Sequence, residues 1–343
     1  MKKKLIGLDI GTSLIRVASI KRTGQQFFLE SIATDPAPKI GVASDLDTEL
    51  EALSQQILKM FESSNIKTRD VALSLPENQV YTKVIEMPEL STRELAASLK
   101  FEMEQYIPLP IDKVKTDWEI LGKNDDEGRA TMNVMLVAAP ISLLAKYQKV
   151  MDGAHLTAEI VETEIISVYR SLMPTLMSPY SNMIVHIGAT STTVALVRGG
   201  VIKMIFSIGL GGIALTRSIS LDLGIDMSQA ENYKNAYGMN TEAFEGKIAA
   251  TIQPVFDSIV ADIKKGLLSF REKNNNESIK QVILSGGSAH VPGLDIFLTN
   301  ALSTQVVFGS AFTAYNIQNV PEELSIRAPS YNVVLGLALR SLI

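Results

Sequence analysis

The chain carries the segment LDIGTSLIRVASI at residues 8–20, and the segment VHIGATSTTVALV at residues 185–197 aligns with it without a gap. Each reads as an apolar strand, a turn around a glycine (Gly11 or Gly188) with small hydroxyl residues, and a second β-branched strand. Backbone N–H groups in such turns can face an anion because glycine has no Cβ to block close approach. The duplication divides the chain into similar halves, each with a potential phosphate hairpin.

Each half continues with strands and helices in alternation. In the first half, apolar spacing predicts a helix over residues 46–63, followed by the strand VALSLP at residues 71–76. In the second half, we predict a helix beginning near Ser228, a long helix over residues 244–270 and the strand KQVILSGG at residues 280–287. This alternation predicts an α/β fold with mixed sheets covered by helices.

An insert in the first half breaks the symmetry. It contains a predicted helix at residues 91–105, the turn sequence YIPLP, two strands around the polar stretch GKNDDEG, and a helix at residues 141–151. We interpret it as a small α/β module whose polar stretch is a solvated hairpin tip.

Composition narrows the class of protein. With 343 residues, 46% hydrophobic and 20% charged, the chain is long enough for two globular lobes. The net charge of -5 gives no reason to expect a nucleic-acid partner. The absence of cysteine excludes disulfides and thiolate metal sites and fits a cytoplasmic location. The apolar stretch at residues 183–215 contains charged residues, so we expect any membrane contact to be indirect.

A third glycine loop, SGGS with Gly286 and Gly287, gives three loops that could converge on one triphosphate. Asp9 stands directly before the first turn, where it could hold hydrated magnesium or only fix its own turn. The residue at the corresponding place in the repeat is His186, which is mostly uncharged at neutral pH and does not suit magnesium. For His186 we favour a half-buried strand histidine.

Three segments, at residues 5–20, 183–200 and 282–294, resemble the phosphate-1, phosphate-2 and adenosine motifs of the actin, heat-shock chaperone and sugar kinase superfamily. Within it, residues 86–121 resemble the start of the inserted subdomain of the type IV pilus assembly PilM family. The sequence AENYK at residues 230–234 matches that family's helix facing the nucleotide. The resemblance implies an actin-like, two-lobed fold of duplicated ribonuclease-H-like sheets, with a small inserted α/β subdomain in the first lobe.

The resemblance also implies ATP between the lobes and magnesium near Asp9. The expected ATP-binding residues are Gly11, Thr12, Ser13, Gly188, Ala189, Thr190, Gly211, Gly212, Glu231, Lys234, Gly286, Gly287 and Ser288. Glu164 falls where relatives place a residue that orients the attacking water, although it also reads as a helix-surface glutamate. Because relatives carry aspartate at the position of His186, we expect ATP binding with slow hydrolysis or none.

The expected domain limits follow the same resemblance. The first lobe would contain residues 1–85, with helices at 160–182 and 325–343, and the inserted subdomain would contain residues 86–159. The second lobe would contain residues 183–324, with its helical part at about 223–275.

PilM relatives bind the N-terminal cytoplasmic peptide of an inner-membrane PilN protein beside the insert, so a PilN-like partner and a position peripheral to the inner membrane are implied. Phe101, Tyr106 and Ile107 could supply apolar surface for it or form the module's own core. Two alternatives are an FtsA-like division protein, which polymerises, and a small-molecule kinase of the same fold. The final stretch NVVLGLALRSLI reads as a buried helix rather than a membrane anchor. Self-association is an open expectation.

Overall fold

The computed structural model describes residues 3–38, 41–126, 129–274 and 277–343, without the side chains of residues 100–102, 124–126 and 129. The side chain of Phe101 and the tip of the GKNDDEG stretch therefore lie outside the described residues. Within the described residues, no helix combines the length and apolar character needed to cross a membrane.

The strands of the described chain fall into three sheets. They are β1 (Ile6–Ile10), β2 (Leu14–Thr23), β3 (Gln26–Pro36), β4 (Asp70–Leu75), β5 (Tyr81–Pro88), β6 (Val114–Asp126), β7 (Arg129–Pro140), β8 (Thr157–Thr163), β9 (Ser181–Ile187), β10 (Thr192–Arg198), β11 (Val201–Ile208), β12 (Ile279–Ser285) and β13 (Gln305–Phe308).

The helices cover and connect these sheets. They are α1 (Asp47–Ser63), α2 (Thr92–Tyr106), α3 (Ile141–Gly153), α4 (Glu164–Leu176), α5 (Gly212–Leu223), α6 (Met227–Tyr237), α7 (Lys247–Lys273), α8 (Leu294–Leu302), α9 (Ala311–Ala314), α10 (Glu322–Ile326) and α11 (Asn332–Leu339).

The two large sheets have the same topology. Their strand orders are β3-β2-β1-β4-β8 and β11-β10-β9-β12-β13. In each sheet the first three strands are antiparallel, whereas the following pairs, β1 with β4 and β9 with β12, are parallel. The repeat predicted from the sequence is therefore a duplicated mixed sheet, and both glycine turns close hairpins, Ile10 opposite Ile15 and Ile187 opposite Thr192.

The insert is an antiparallel sheet of order β5-β7-β6, covered by α2. Its strands begin at Tyr81 and end at Pro140, which differs from the expected limits of 86–159. The difference arises because α3 buries Tyr147 and Val150 in the core of the first lobe, and β8 pairs in parallel with β4. Ile107 is buried in the insert's own core, and Tyr106 packs at its edge.

The helix predicted over residues 244–270 begins later than its apolar spacing indicates. Phe244, Glu245 and Gly246 have φ angles of 50°, 55° and 69°, and α7 starts at Lys247. A right-handed helix cannot continue through left-handed backbone, so these residues form a turn before it. The hydrophobic face of α7 then packs on the second large sheet, as its spacing predicts.

Candidate functional site

A cleft of about 620 Å³ lies between the two large sheets, a volume within the usual range for small-molecule sites. Both glycine hairpins and the third glycine loop line it, together with several residues between positions 326 and 333. The structure brings the following predicted site residues to this one cleft: Asp9, Gly11, Thr12, Ser13, Glu164, Gly188, Ala189, Thr190, Gly212, Glu231, Lys234, Gly286, Gly287 and Ser288. The predicted residue Gly211 does not line the cleft, and it lies against the backbone of Gly188 and Ser191 in the second hairpin.

The first hairpin is closed by a hydrogen bond that the N–H of Gly11 donates to the Leu14 carbonyl, at 3.1 Å. In the second, the N–H of Gly188 donates to the Ser191 carbonyl at 2.9 Å. The first amide of α5, that of Gly212, donates to the Gly188 carbonyl at 2.9 Å and so fixes the hairpin to a helix N-terminus. The positive end of the α5 dipole therefore faces the site, which favours an anion there.

Two glycines are required by this geometry. A Cβ on Gly211 would lie 2.7 Å from both the Gly188 oxygen and the Ser191 nitrogen, so only glycine lets α5 approach the second hairpin. Gly286 has a φ angle of +94°, and a Cβ there would overlap the backbone of Ile187. Glycine at these positions keeps the phosphate hairpin and the third loop in contact.

Asp9 is buried at the end of β1, where it accepts a hydrogen bond from the Ser74 hydroxyl at 3.1 Å. The Arg16 guanidinium lies 3.5 Å from its other oxygen. Burial raises the pKa of Asp9, while Arg16 and Ser74 act in the opposite direction. Among the described residues, no group of three histidine or acidic side chains could hold a metal. As a single buried carboxylate, Asp9 would hold magnesium only together with phosphate oxygens, the usual arrangement for that ion.

Glu164 is the first residue of α4 and faces the cleft, so it is not a helix-surface glutamate. The backbone N–H of Glu77 donates to its Oε2 at 3.4 Å. Burial, with the nearby charges of Asp9 and Glu77, raises the pKa of Glu164 to about 8. Glu164 is therefore mainly protonated at pH 7 and is a poor proton acceptor.

His186 is buried in β9, with 6% of its surface exposed, and lines the cleft. Its Nδ1 lies 3.2 Å from the Ser285 hydroxyl, which also accepts a hydrogen bond from the Asn332 amide at 3.1 Å. Burial, reinforced by the Arg16 charge, lowers the pKa of His186 to about 4. The ring is thus neutral at pH 7 and supplies no negative charge for a metal.

Glu231 and Lys234 lie on α6 and form an ion pair of 2.7 Å. The buried Lys234 ammonium also donates to the Thr216 hydroxyl at 3.0 Å. Although burial opposes ionisation, hydrogen bonds from Lys234 and Thr216 lower the pKa of Glu231 below its ordinary value. The pair is held in position at the wall of the cleft, where it can offer both an acceptor and a cation.

Several lining residues were not selected by the sequence analysis, and they include Arg16, His290, Arg327 and Tyr331. Arg16 faces Asp9 across the β1–β2 pair, and its guanidinium lies 5.7 Å from the centre of the Tyr331 ring. A cation within the apolar stretch LIRVASI was a signal that could have identified Arg16. Arg327 and Tyr331 come from a distant segment whose sequence carries no comparable signal.

The family model described as type IV pilus assembly protein PilM matches residues 7–342. The chain belongs to this family.

Curated relatives by sequence are cell division proteins. The chain is similar to FtsA of Streptococcus pneumoniae (strain D39), with 24% identity over 97% of this chain and 79% of the relative. It is 19% identical to FtsA of Escherichia coli (strain K12), over 98% of this chain and 90% of that protein.

Solved structures give the fold. A structure described as the PilM-PilN type IV pilus biogenesis complex covers all of both chains with a TM-score of 0.87 and 24% identity. MreB5 of Spiroplasma citri bound to AMPPNP covers 98% of this chain and 95% of that one, with a TM-score of 0.54 and 14% identity. The chain therefore has the actin-like ATPase fold, as predicted, with two lobes of mixed sheets.

Proposed function

We propose that the chain binds ATP in the cleft and acts as a scaffold of a type IV pilus or related secretion assembly platform, with slow ATP hydrolysis or none. The observation that carries the proposal is the convergence of two phosphate hairpins and a third glycine loop on one cleft of about 620 Å³. The cleft combines the Arg16 and Lys234 cations with the N-terminus of α5, a setting that favours a triphosphate.

Two residues support slow hydrolysis. Magnesium, when bound beside Asp9, would supply neutralisation of phosphate charge. The neutral His186 gives Asp9 no acidic counterpart on the second hairpin, and the protonated Glu164 cannot accept a proton from water. Tight binding with weak turnover is the expected consequence.

The proposed partner is the N-terminal cytoplasmic peptide of a PilN-like inner-membrane protein. This proposal is supported by membership of the PilM family and by similarity to the structure described as a PilM-PilN complex. The partner would place the chain in the cytoplasm, peripheral to the inner membrane.

The proposed ATP site can be tested by filling it. A Cβ on Gly287 meets no atom within 4 Å, and Gly287 lines the cleft, so Gly287→Val should block nucleotide without disturbing the fold. Gly209 is equally unobstructed and lies outside the cleft lining, which makes Gly209→Val the matched control. In an ATP titration we expect the wild type and Gly209→Val to bind, and Gly287→Val to lose at least about tenfold in affinity.

Phosphate release is measured on the same proteins and on His186→Asp. We expect little release by the wild type and more by His186→Asp, which supplies the missing carboxylate. Full binding by Gly287→Val would refute the proposed site, and rapid release by the wild type would refute the scaffold interpretation.

A further inference from the structure

The short turn Glu77–Gln79 connects the nucleotide-facing sheet to the insert. It follows β4, which pairs with β1 and β8 in the first large sheet. Only Val80 separates it from β5, the first strand of the inserted sheet. Because the connection is one residue long, a displacement of the turn must also displace the start of β5.

The same turn contacts both sides of the cleft. The Glu77 N–H donates to Glu164, and the Glu77 carboxylate accepts from the N–H of Ile165 at 3.5 Å. On the other side, the Asn78 amide donates to the hydroxyl of Thr190 at 3.1 Å. Thr190 belongs to the second phosphate hairpin, so a residue of the first lobe is hydrogen-bonded across the cleft to the second lobe.

Glu77 lies where the insert joins the first lobe. Its side chain is buried, with 4% of the residue exposed. Burial raises the pKa of the Glu77 carboxyl to about 7, and the nearby hydroxyls of Thr82 in β5 and Thr163 at the end of β8 act in the opposite direction. A buried carboxyl is strongly disfavoured unless neighbouring polar groups satisfy it. Glu77 is therefore buried beside a residue of the inserted sheet and a residue of the first large sheet.

The insert packs on the second lobe as well. Val84, Leu121 and Met135 of the insert share a hydrophobic cluster with Ile202 and Ile205 of β11. Because interiors are close-packed, a change in the angle between the lobes cannot leave this contact unchanged. The insert is thus placed to respond to movement of either lobe.

We propose that the turn Glu77–Gln79 couples nucleotide binding in the cleft to the inserted sheet. Asn78 makes this connection through its hydrogen bond to Thr190 of the second hairpin. The inference rests on the proposed ATP site. The Thr190 oxygen accepts from Asn78, which leaves the Thr190 hydroxyl proton to donate to a phosphate oxygen. A hydroxyl that donates becomes a better acceptor, so bound triphosphate strengthens the Asn78 bond and holds the turn and β5 more firmly.

The test is hydrogen exchange of the full chain, measured by mass spectrometry with and without ATP and magnesium. In the wild type we expect ATP to slow exchange of the β5 amides by roughly three- to tenfold, the effect of one hydrogen bond. Asn78→Ala should lose this slowing while it still binds ATP. The control Asn300→Ala changes an exposed asparagine on α8 and should behave as the wild type.

A second variant removes the acceptor instead of the donor. Thr190→Val preserves the side-chain size, and the Asn78→Ala/Thr190→Val double variant should lose no more β5 protection than either single variant. ATP binding with unchanged β5 exchange in the wild type, or full protection in Asn78→Ala, would overturn the coupling alone. No ATP binding by the wild type would overturn both the coupling and the proposed site.

Discussion

At the residue scale, three of the titratable side chains that line the cleft have shifted pKa values that change its charge. His186 is neutral at pH 7 because burial lowers its pKa to about 4, and Glu164 is mainly protonated because burial raises its pKa to about 8. Asp9 has a raised pKa and faces the Arg16 cation. The cleft is therefore less negative than its acidic residues alone suggest, which lowers the electrostatic cost of binding a polyanion.

The raised pKa of Glu164 predicts a pH-dependent stability. Its folded-state pKa lies above the unfolded value of about 4.3, so the folded protein binds the extra proton between these values. The stability associated with the protonated carboxyl is complete below the unfolded pKa and is lost as pH rises towards 8. We expect the free energy of unfolding of Glu164→Gln to exceed that of the wild type by roughly 2 to 4 kcal/mol at pH 9, and by less at pH 5. Urea unfolding at the two pH values measures this difference.

The control for this prediction is Glu272→Gln, which changes an exposed residue of α7. Its stability relative to the wild type should not vary with pH. An identical pH dependence in Glu164→Gln and the wild type would show that Glu164 ionises normally in the folded protein.

At the scale of elements, the first lobe is closed by α11. This helix is buried along its whole length and packs against α4, β1 and β2. Gly336 is the point of closest approach, because a Cβ there would overlap the carbonyl oxygen of Ser167 on α4. The buried Arg170 of α4, paired with Glu162, also donates to the Gly336 carbonyl at 3.2 Å. Helices α11 and α4 can therefore approach this closely only because residue 336 is a glycine.

Gly336→Ala should therefore destabilise the protein although alanine is the better helix former. The added methyl group must push α11 away from α4, and overpacking of this kind costs about 1 to 3 kcal/mol or more. Thermal unfolding should show a lower Tm for Gly336→Ala and little change for Gly209→Ala, where a Cβ meets no atom within 4 Å. An unchanged Tm for Gly336→Ala would mean that the crossing can relax at no cost.

At the scale of the whole molecule, one hydrophobic cluster joins three parts. It contains Ile165 of the first lobe, Met135 of the insert, and Ile184, Ile205 and Ile283 of the second lobe. The cleft lies beside this shared cluster, so its two walls are connected through packed side chains rather than through a flexible linker.

The partner proposal gives a prediction at this scale. An immobilised synthetic peptide with the cytoplasmic N-terminal sequence of a PilN-like single-span membrane protein should retain the full chain in a pull-down. A scrambled peptide of the same composition is the control. Because linkage is reciprocal, any change in ATP affinity caused by the peptide must equal the change in peptide affinity caused by ATP. Failure of all such peptides to bind, with and without ATP and magnesium, would remove the pilus-assembly proposal.

The amino-acid sequence by itself determined the local structure. Both hairpins were predictable because glycine turns between β-branched runs specify a strand reversal locally. The start of α2 was predictable as well, because its cap lies within four residues. The Ser91 side chain accepts a hydrogen bond from the Glu94 N–H, and the Glu94 carboxylate accepts one from the Ser91 N–H. The repeat then implied two similar sheets and a phosphate site between them.

Only the tertiary structure decided the properties that depend on distant neighbours. The charge states of Glu164 and His186 follow from burial by elements far away in sequence, and Arg16 acquires its role by facing Asp9 across a strand pair. The C-terminal limit of the insert is set by β8 pairing with β4, which periodicity does not reveal. The hydrogen bond from Asn78 to Thr190 joins residues of different lobes. Desolvation and hydrogen-bond pairing depend on residues that are distant in sequence, so a local sequence pattern does not predict them.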